Sequence, residues 1–189
     1  MKIYFNFSGR SPAHVRSNCK VIYSTLKHLG FSHMLNPFDD LHREGLSNNS
    51  NGDVEKLFSS SIKAVMNSKI IALEVTTNSF TQGFLLQKAL ELNKPVIAFY
   101  QKDSVPIFAE GIKSDLLQLV EYDQYNLVDT IKDSIKIAKE NSECRFNFYL
   151  NYDLLNYLKY ISKKHNKSKS AFVREMLEEK MSTDQEYLN

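Results

Sequence analysis

IIALEVTTNSFTQGFLLQKALELNKPVIAFY, residues 70–100, decides the fold. IIALEV (70–75) is a nearly continuous apolar run with turn residues after it, which predicts a central parallel strand buried on both faces. A helix is expected from about Gly83 to Leu92, and PVIAFY (95–100) reads as the next strand, so the stretch is one β-α-β unit. Upstream, KIYFNF (2–7) is a strand by its β-branched and aromatic content. Ser11 suits an N-cap and Pro12 the first helical position. Val15, Cys19, Ile22, Leu26 and Leu29 then mark one helix face, and Gly30 is placed to end it. SHMLNPF (32–38) is a strand broken by Pro37, and REGLSNNSNGD (43–53) is a surface loop. Val54, Leu57, Phe58, Ile62 and Val65 give a second amphipathic helix. Downstream, LLQLVEY (116–122) is a strand, and a helix follows with Leu127, Ile131, Ile135 and Ala138 inward. Strands alternating with helices argue for an open, mostly parallel α/β sheet.

The chain has 189 residues, 42 % apolar and 24 % charged, which suits one domain of ordinary size with a small appendage. No apolar run approaches the roughly 18 residues of a membrane helix. The N-terminal MKIYFNFSGR lacks the long apolar segment of a signal peptide. Cys19 and Cys144 lie far apart, which argues against a disulfide framework and a cysteine metal site. The expectation is a cytoplasmic protein with no membrane partner, no cofactor and no metal. Charge is uneven: residues 145–181 hold eight Lys or Arg against four acids, while residues 1–144 balance at 16 and 16. A basic end on a neutral body points to a polyanion partner.

In open α/β sheets ligands bind outside the C-terminal strand ends. Three loops fall there: SGRSP (8–12), NPFDD (36–40) and TTNSFTQG (76–83). Helix-start N–H groups with Ser, Thr or Gly can cradle phosphate, and Arg10 can add a charge-assisted bond. The same residues also fit ordinary βα loops whose Ser and Asn cap helices.

IYFNFSGR together with LEVTTNSFTQGFLLQKALELNKPVIAFY resembles the nucleoside 2-deoxyribosyltransferase-like family, which includes deoxynucleoside-monophosphate N-glycosidases. The resemblance covers residues 1 to about 140 and implies a flavodoxin-like sheet with helices on both faces. Its motif is an apolar strand (Ile70–Val75) with an acid (Glu74), then a loop (Asn78–Gly83). Ala89 and Lys94-Pro95-Val96 close it. It implies a nucleotide or nucleoside pocket at Ser8, Gly9, Arg10, Asn36, Glu74, Asn78, Ser79 and Gly83. The chain departs from the family where the chemistry lies. The family's nucleophile is a Glu two residues after the loop glycine, needed to attack the anomeric carbon. Here that position is Leu85, and the acid usual before the central strand is Lys69. Toll/interleukin-receptor-type domains share the layout and place their glycosidase Glu equivalently. No catalytic residue is therefore assigned.

After a short linker (142–144), RFNFYL (145–150) alternates: Phe146, Phe148 and Leu150 on one side, Arg145, Asn147 and Tyr149 on the other. Asn151 suits an N-cap for a helix with Leu154, Leu155, Leu158 and Ile161 inward. Ser168 suits the cap of a second, with Phe172, Val173, Met176, Leu177 and Met181 inward. One strand and two helices are too few to bury a core alone. The tail resembles the ribbon-helix-helix domain of the Arc and MetJ class of β-ribbon DNA readers. That resemblance implies a homodimer through the ribbon, with tetramers as a further step. It implies base contacts from Arg145, Asn147 and Tyr149, and phosphate contacts from Lys167, Ser168, Lys169 and Ser170. Residues 182–189 form a tail.

The combined expectation is a dimeric, double-stranded-DNA-binding protein of repressor type with a catalytically inactive, nucleotide-sensing or assembly-mediating α/β domain. Two alternatives stay open. One is an N-glycosidase or deoxyribosyltransferase acting on deoxynucleosides or their monophosphates. The other is an antitoxin-like autoregulator that holds a partner protein.

Overall fold

The computed structural model describes residues 1–39, 51–141, 148–165 and 167–184. Chain packing divides into two compact units, Met1–Cys144 and Arg145–Asn189.

The first unit is built on five strands: β1 (Lys2–Phe7), β2 (Ser32–His33), β3 (Ile70–Glu74), β4 (Val96–Gln101) and β5 (Leu117–Tyr122). All neighbouring pairs are parallel and the order is β2-β1-β3-β4-β5. This is the flavodoxin-like order, whose switch point falls between β1 and β3. Every residue of β3 is buried, as its apolar run requires. Its register pairs Ile3 with Ile70 and Phe7 with Glu74 on one side, and Ile71 with Val96 and Glu74 with Phe99 on the other.

Period-two alternation sends the strand side chains into two cores. Ile3, Phe5, Ile70, Ala72, Ile97 and Phe99 pack with α1 (Ala13–His28) and with the later helix Leu127–Asn141. Tyr4, Ile71, Leu73, Val96 and Ala98 pack on the opposite face with α2 (Asn51–Asn67) and α3 (Phe80–Glu91). A single helical turn, α4 (Ile107–Glu110), follows β4, and Leu127–Asn141 is α5.

Helix ends show why the local sequence works. Gly30 sits at φ +84°, its N–H donates to the Lys27 carbonyl, and the Phe31 N–H donates to Leu26. These two bonds are the Schellman pattern. Asn93 plays the same part after α3 at φ 53°, with Asn93 N–H on Leu90 and Lys94 N–H on Ala89. The Lys94 ammonium then donates to the carbonyls of Met66 (2.7 Å) and Ser68 (2.5 Å), tying the end of α3 to the end of α2. Lys94-Pro95 is thus a helix stop and a strap.

Three boundaries differ from the sequence reading. Strand β2 is two residues long, because Asn36 turns the chain: its Oδ1 accepts the Phe38 N–H and its carbonyl accepts Asp39. Helix α1 begins at Ala13 with Pro12 at the cap position, so Ser11 does not cap it. Helix α3 begins at Phe80, its first bond running from the Gly83 N–H to the Ser79 carbonyl. Most of the 43–53 loop lies outside the described residues, and α2 opens at its end.

The second unit holds α6 (Tyr152–Lys164) and α7 (Lys169–Thr183). Asn151 Oδ1 accepts the Leu154 N–H, and Ser168 Oγ accepts the Ala171 N–H, so both expected caps form. No helix among the described residues is long and apolar enough to cross a membrane.

Gly30→Ala tests the helix-stop geometry. The space around a new Cβ is open, so the cost is the left-handed backbone alone, about 1–2 kcal/mol. Urea unfolding is expected to show that loss, and Gly30→Asn is expected to recover most of it.

Candidate functional site

The C-terminal edge of the sheet carries two separate polar arrangements, one on each face. The first is centred on Glu74, the last residue of β3. Its side chain falls on the α1 and α5 face and is fully buried. Oε1 accepts from the Tyr122 hydroxyl (3.0 Å), the Thr76 hydroxyl and the Thr76 N–H (3.3 Å). Thr76 Oγ1 in turn accepts the Gln101 N–H at 2.9 Å. Among the described residues Oε2 has no partner. Burial pushes the Glu74 carboxyl above its ordinary value, more than these donors pull it down. Burial and the neighbouring Glu74 push the Tyr122 phenol up as well.

The second arrangement lies on the α2 and α3 face. Asn6 is a polar residue inside an otherwise apolar strand. Its Nδ2 donates to the Tyr4 hydroxyl (2.6 Å) and its Oδ1 accepts from Gln82 Nε2 (3.1 Å). Tyr4 is also hydrogen-bonded to Ser61 of α2. The Gln82 Oε1 is buried and unpartnered among the described residues. Gln82 lines a cavity of about 750 Å³ formed by the β3–α3 loop, the first turns of α3, and the segment from Val105 to Ile112.

The eight pocket residues expected from sequence divide among four places. Asn78, Ser79 and Gly83 line the cavity. Ser8, Gly9 and Arg10 belong to a braced turn after β1. There the Arg16 guanidinium donates to the carbonyls of Ser11 (2.8 Å) and Gly9 (2.5 Å), and the Arg10 N–H donates to Ser8 Oγ (3.2 Å). The Arg10 side chain is exposed. Asn36 is an exposed turn former, its amide also donating to Asp39 at 2.7 Å. Glu74 is enclosed on the opposite face of the sheet from Gln82. Leu85 is buried among Tyr4, Leu73, Leu86 and Ala89, so the position of the family's nucleophile is core. Thr76, Gln82, Tyr122 and the Val105–Ile112 segment escaped the sequence reading. The one available signal was Asn6, a lone amide in an apolar strand.

In the second unit, Arg145 and Asn147 lie outside the described residues, as does the 142–144 linker. Tyr149 is fully exposed and Phe148 half-exposed, and residues 148–150 have no strand assignment. Lys167, Ser168, Lys169 and Ser170 all reach solvent at the start of α7, with Lys167 paired to Glu175 at 2.6 Å. Leu154, Tyr157, Met176, Leu177 and Met181 are about half-exposed, and Ile161 is buried.

No protein-family model matches the chain, and no curated protein does. A solved structure of the CMP N-glycosidase of Clostridium botulinum is 8 % identical, with a TM-score of 0.48. The alignment covers 70 % of this chain and 97 % of that one. The fold assignment rests on the sheet order itself.

The raised Glu74 carboxyl has a measurable consequence. The folded state holds this proton more tightly than the unfolded chain. Its contribution is therefore full below the ordinary value near 4.5 and lost as pH rises through the raised folded value. Denaturant titrations across this range are expected to show wild type losing stability relative to Glu74→Gln as pH increases. Parallel pH dependences would show that burial does not raise the Glu74 carboxyl above its unfolded value.

Proposed function

We propose that the chain is a homodimeric DNA-binding protein of repressor type. Residues 145–181 form a ribbon-helix-helix unit shared between two copies, and the α/β body holds a small molecule without cleaving it. One observation carries the reading. The helix pair α6 and α7 has both N-caps satisfied yet leaves Met176, Leu177, Met181 and Leu154 half-uncovered. A unit of this size cannot leave its apolar stripe in water and remain folded. A second copy would cover the stripe and pair RFNFYL with its twin, turning Arg145, Asn147 and Tyr149 outward from a two-stranded ribbon.

The chemistry of those residues suits the major groove. Arg can bridge guanine O6 and N7, Asn can bridge adenine N6 and N7, and Tyr offers a hydroxyl and a ring. The start of α7, with Lys167 and Lys169 beside free N–H groups, suits a phosphate. The buried Leu85 supports the non-cleaving role of the body, since an anomeric carbon needs a carboxylate nucleophile there.

Fluorescence anisotropy with DNA from the gene's own upstream region tests this reading. Arg145→Ala and Asn147→Ala are each expected to cost about 1–3 kcal/mol of specific binding and to relax base preference. Lys169→Ala is expected to weaken all sequences evenly and reduce the salt slope by about one. Binding unaffected by the first two variants would remove the ribbon as the reading surface.

One feature favours a second reading, a glycosidase: Glu74 is a buried carboxyl at a strand end, pushed above its ordinary value by burial. Base release from deoxynucleosides and their monophosphates, followed by chromatography, is expected to be absent. Release that disappears in Glu74→Gln would establish this reading instead.

A further inference from the structure

Five large apolar side chains stand together in water on the α2 and α3 side of the body. The Phe58 and Phe84 ring centroids are 5.9 Å apart and those of Phe84 and Phe80 are 6.5 Å apart, so the three rings form a row from α2 to the start of α3. Phe80 also borders the cavity of about 750 Å³, which Ile107 and Phe108 line as well. Phe80 is 90 % exposed, Phe108 94 % and Ile107 80 %, and Phe58 and Phe84 are partly exposed. A whole aromatic side chain covers roughly 150–250 Å², so the four rings and Ile107 offer on the order of 600 Å² of apolar surface. The largest apolar patch of a typical monomer is about 300–600 Å², and a stable interface takes about 800 Å² from each partner. The row therefore reaches the top of the monomer range and supplies most of an interface core. It falls short of what two freely diffusing chains need.

Charge and tethering decide which cover fits. Among the described residues no Lys, Arg, His, Asp or Glu lines the cavity, and Lys88, one turn beyond Phe84, is paired to Glu91 at 3.2 Å. A different protein is selected largely by opposite charge, and this rim offers none to read. Across a two-fold axis each patch meets a copy of itself, so like charges would face each other, and a neutral rim avoids that repulsion. The protruding rings and the hollow also belong to one patch. Two copies can therefore seat them reciprocally and close, whereas a knob and a hollow on different faces would propagate. The tail's half-uncovered Met176 and Leu177 call for a second copy in any case, and the tail unit begins at Arg145, directly after the body ends at Cys144. Two bodies joined through so short a tether meet at an effective concentration on the order of millimolar, which offsets the shortfall in area.

We infer that the row of Phe58, Phe84 and Phe80, with Ile107 and Phe108, is the contact between the α/β bodies of two copies of this chain, each copy's Phe108 lying at the mouth of the other's cavity. The inference rests on the two-copy assembly of the reading above and adds a second contact to it. It does not depend on DNA binding.

Two measurements on the full chain, without DNA, test it. In the first, the photo-crosslinker benzoylphenylalanine replaces Phe108 in dimers assembled from isotope-labelled and unlabelled chains. It is expected to link to body peptides around Phe58, Phe80 or Phe84 of the chain carrying the other label. In the second, sedimentation velocity follows a dilution series of wild type and of the double variant Phe80→Ser, Phe108→Ser. The variant is expected to raise the dimer dissociation constant by at least about tenfold, the scale of a lost aromatic anchor. Both side chains are exposed in the single chain, so the fold of one copy is expected to persist, which far-ultraviolet circular dichroism checks. Links confined to one copy or to the tail, no links at all, or an unchanged dissociation constant would each overturn the inference. Leu177→Lys chains that stay dimeric with the links between bodies intact would instead count against the tail contact alone and leave this one standing.

Discussion

The double burial of β3 is the constraint on which the first unit depends. A parallel strand covered on both faces must be apolar throughout, and Ile70 to Leu73 meet that demand. Its last residue is a carboxyl, whose burial is offset in part by the donors from Tyr122 and Thr76. With β3 fixed, β1 and β4 must flank it, and the chain enters α3 at a set place. Both polar arrangements at the C-terminal edge follow from this. Glu74 faces one core, while Asn6 and Gln82 face the other.

The two faces have separate chemistries for the same geometric reason. Alternation along β1 and β3 sends consecutive side chains to opposite sides, so a polar residue one step along a strand serves a different helix layer. Glu74 is fully buried on the α1 and α5 face. Gln82 lies at the end of a relay through Asn6 and Tyr4 to Ser61, beside a cavity whose wall it shares. A carboxylate at position 85 would enter the α3 core, not either polar arrangement.

Much of the framework was legible in the residues. The run at 70–75, the stripe Val15-Cys19-Ile22-Leu26, Gly30 and both tail caps report local physics, and the structure realises each of them. The short β2 was not legible because one Asx turn at Asn36 overrode a strand-like composition. Helical turn α4 is too short to show a period. Gln82, Thr76 and Tyr122 act through partners dozens of residues away, and no local spacing encodes such bonds. The eight expected pocket residues follow from a resemblance in motif, and a motif does not distinguish a braced turn from a cavity wall.

The tail presents the opposite problem, since its local signals agree and its burial does not close within one chain. Capped helices with half-exposed Met176 and Leu177 need a cover, and the proposed cover is the same unit from a second copy. Sedimentation equilibrium on the full chain addresses this most directly, comparing wild type with Leu177→Lys. Leu177 is 63 % exposed in the single chain, so the substitution leaves the fold of one copy undisturbed. The account predicts twice the chain mass for wild type at micromolar concentration and the single-chain mass for the variant. A monomeric wild type, or a variant that remains dimeric, would contradict it.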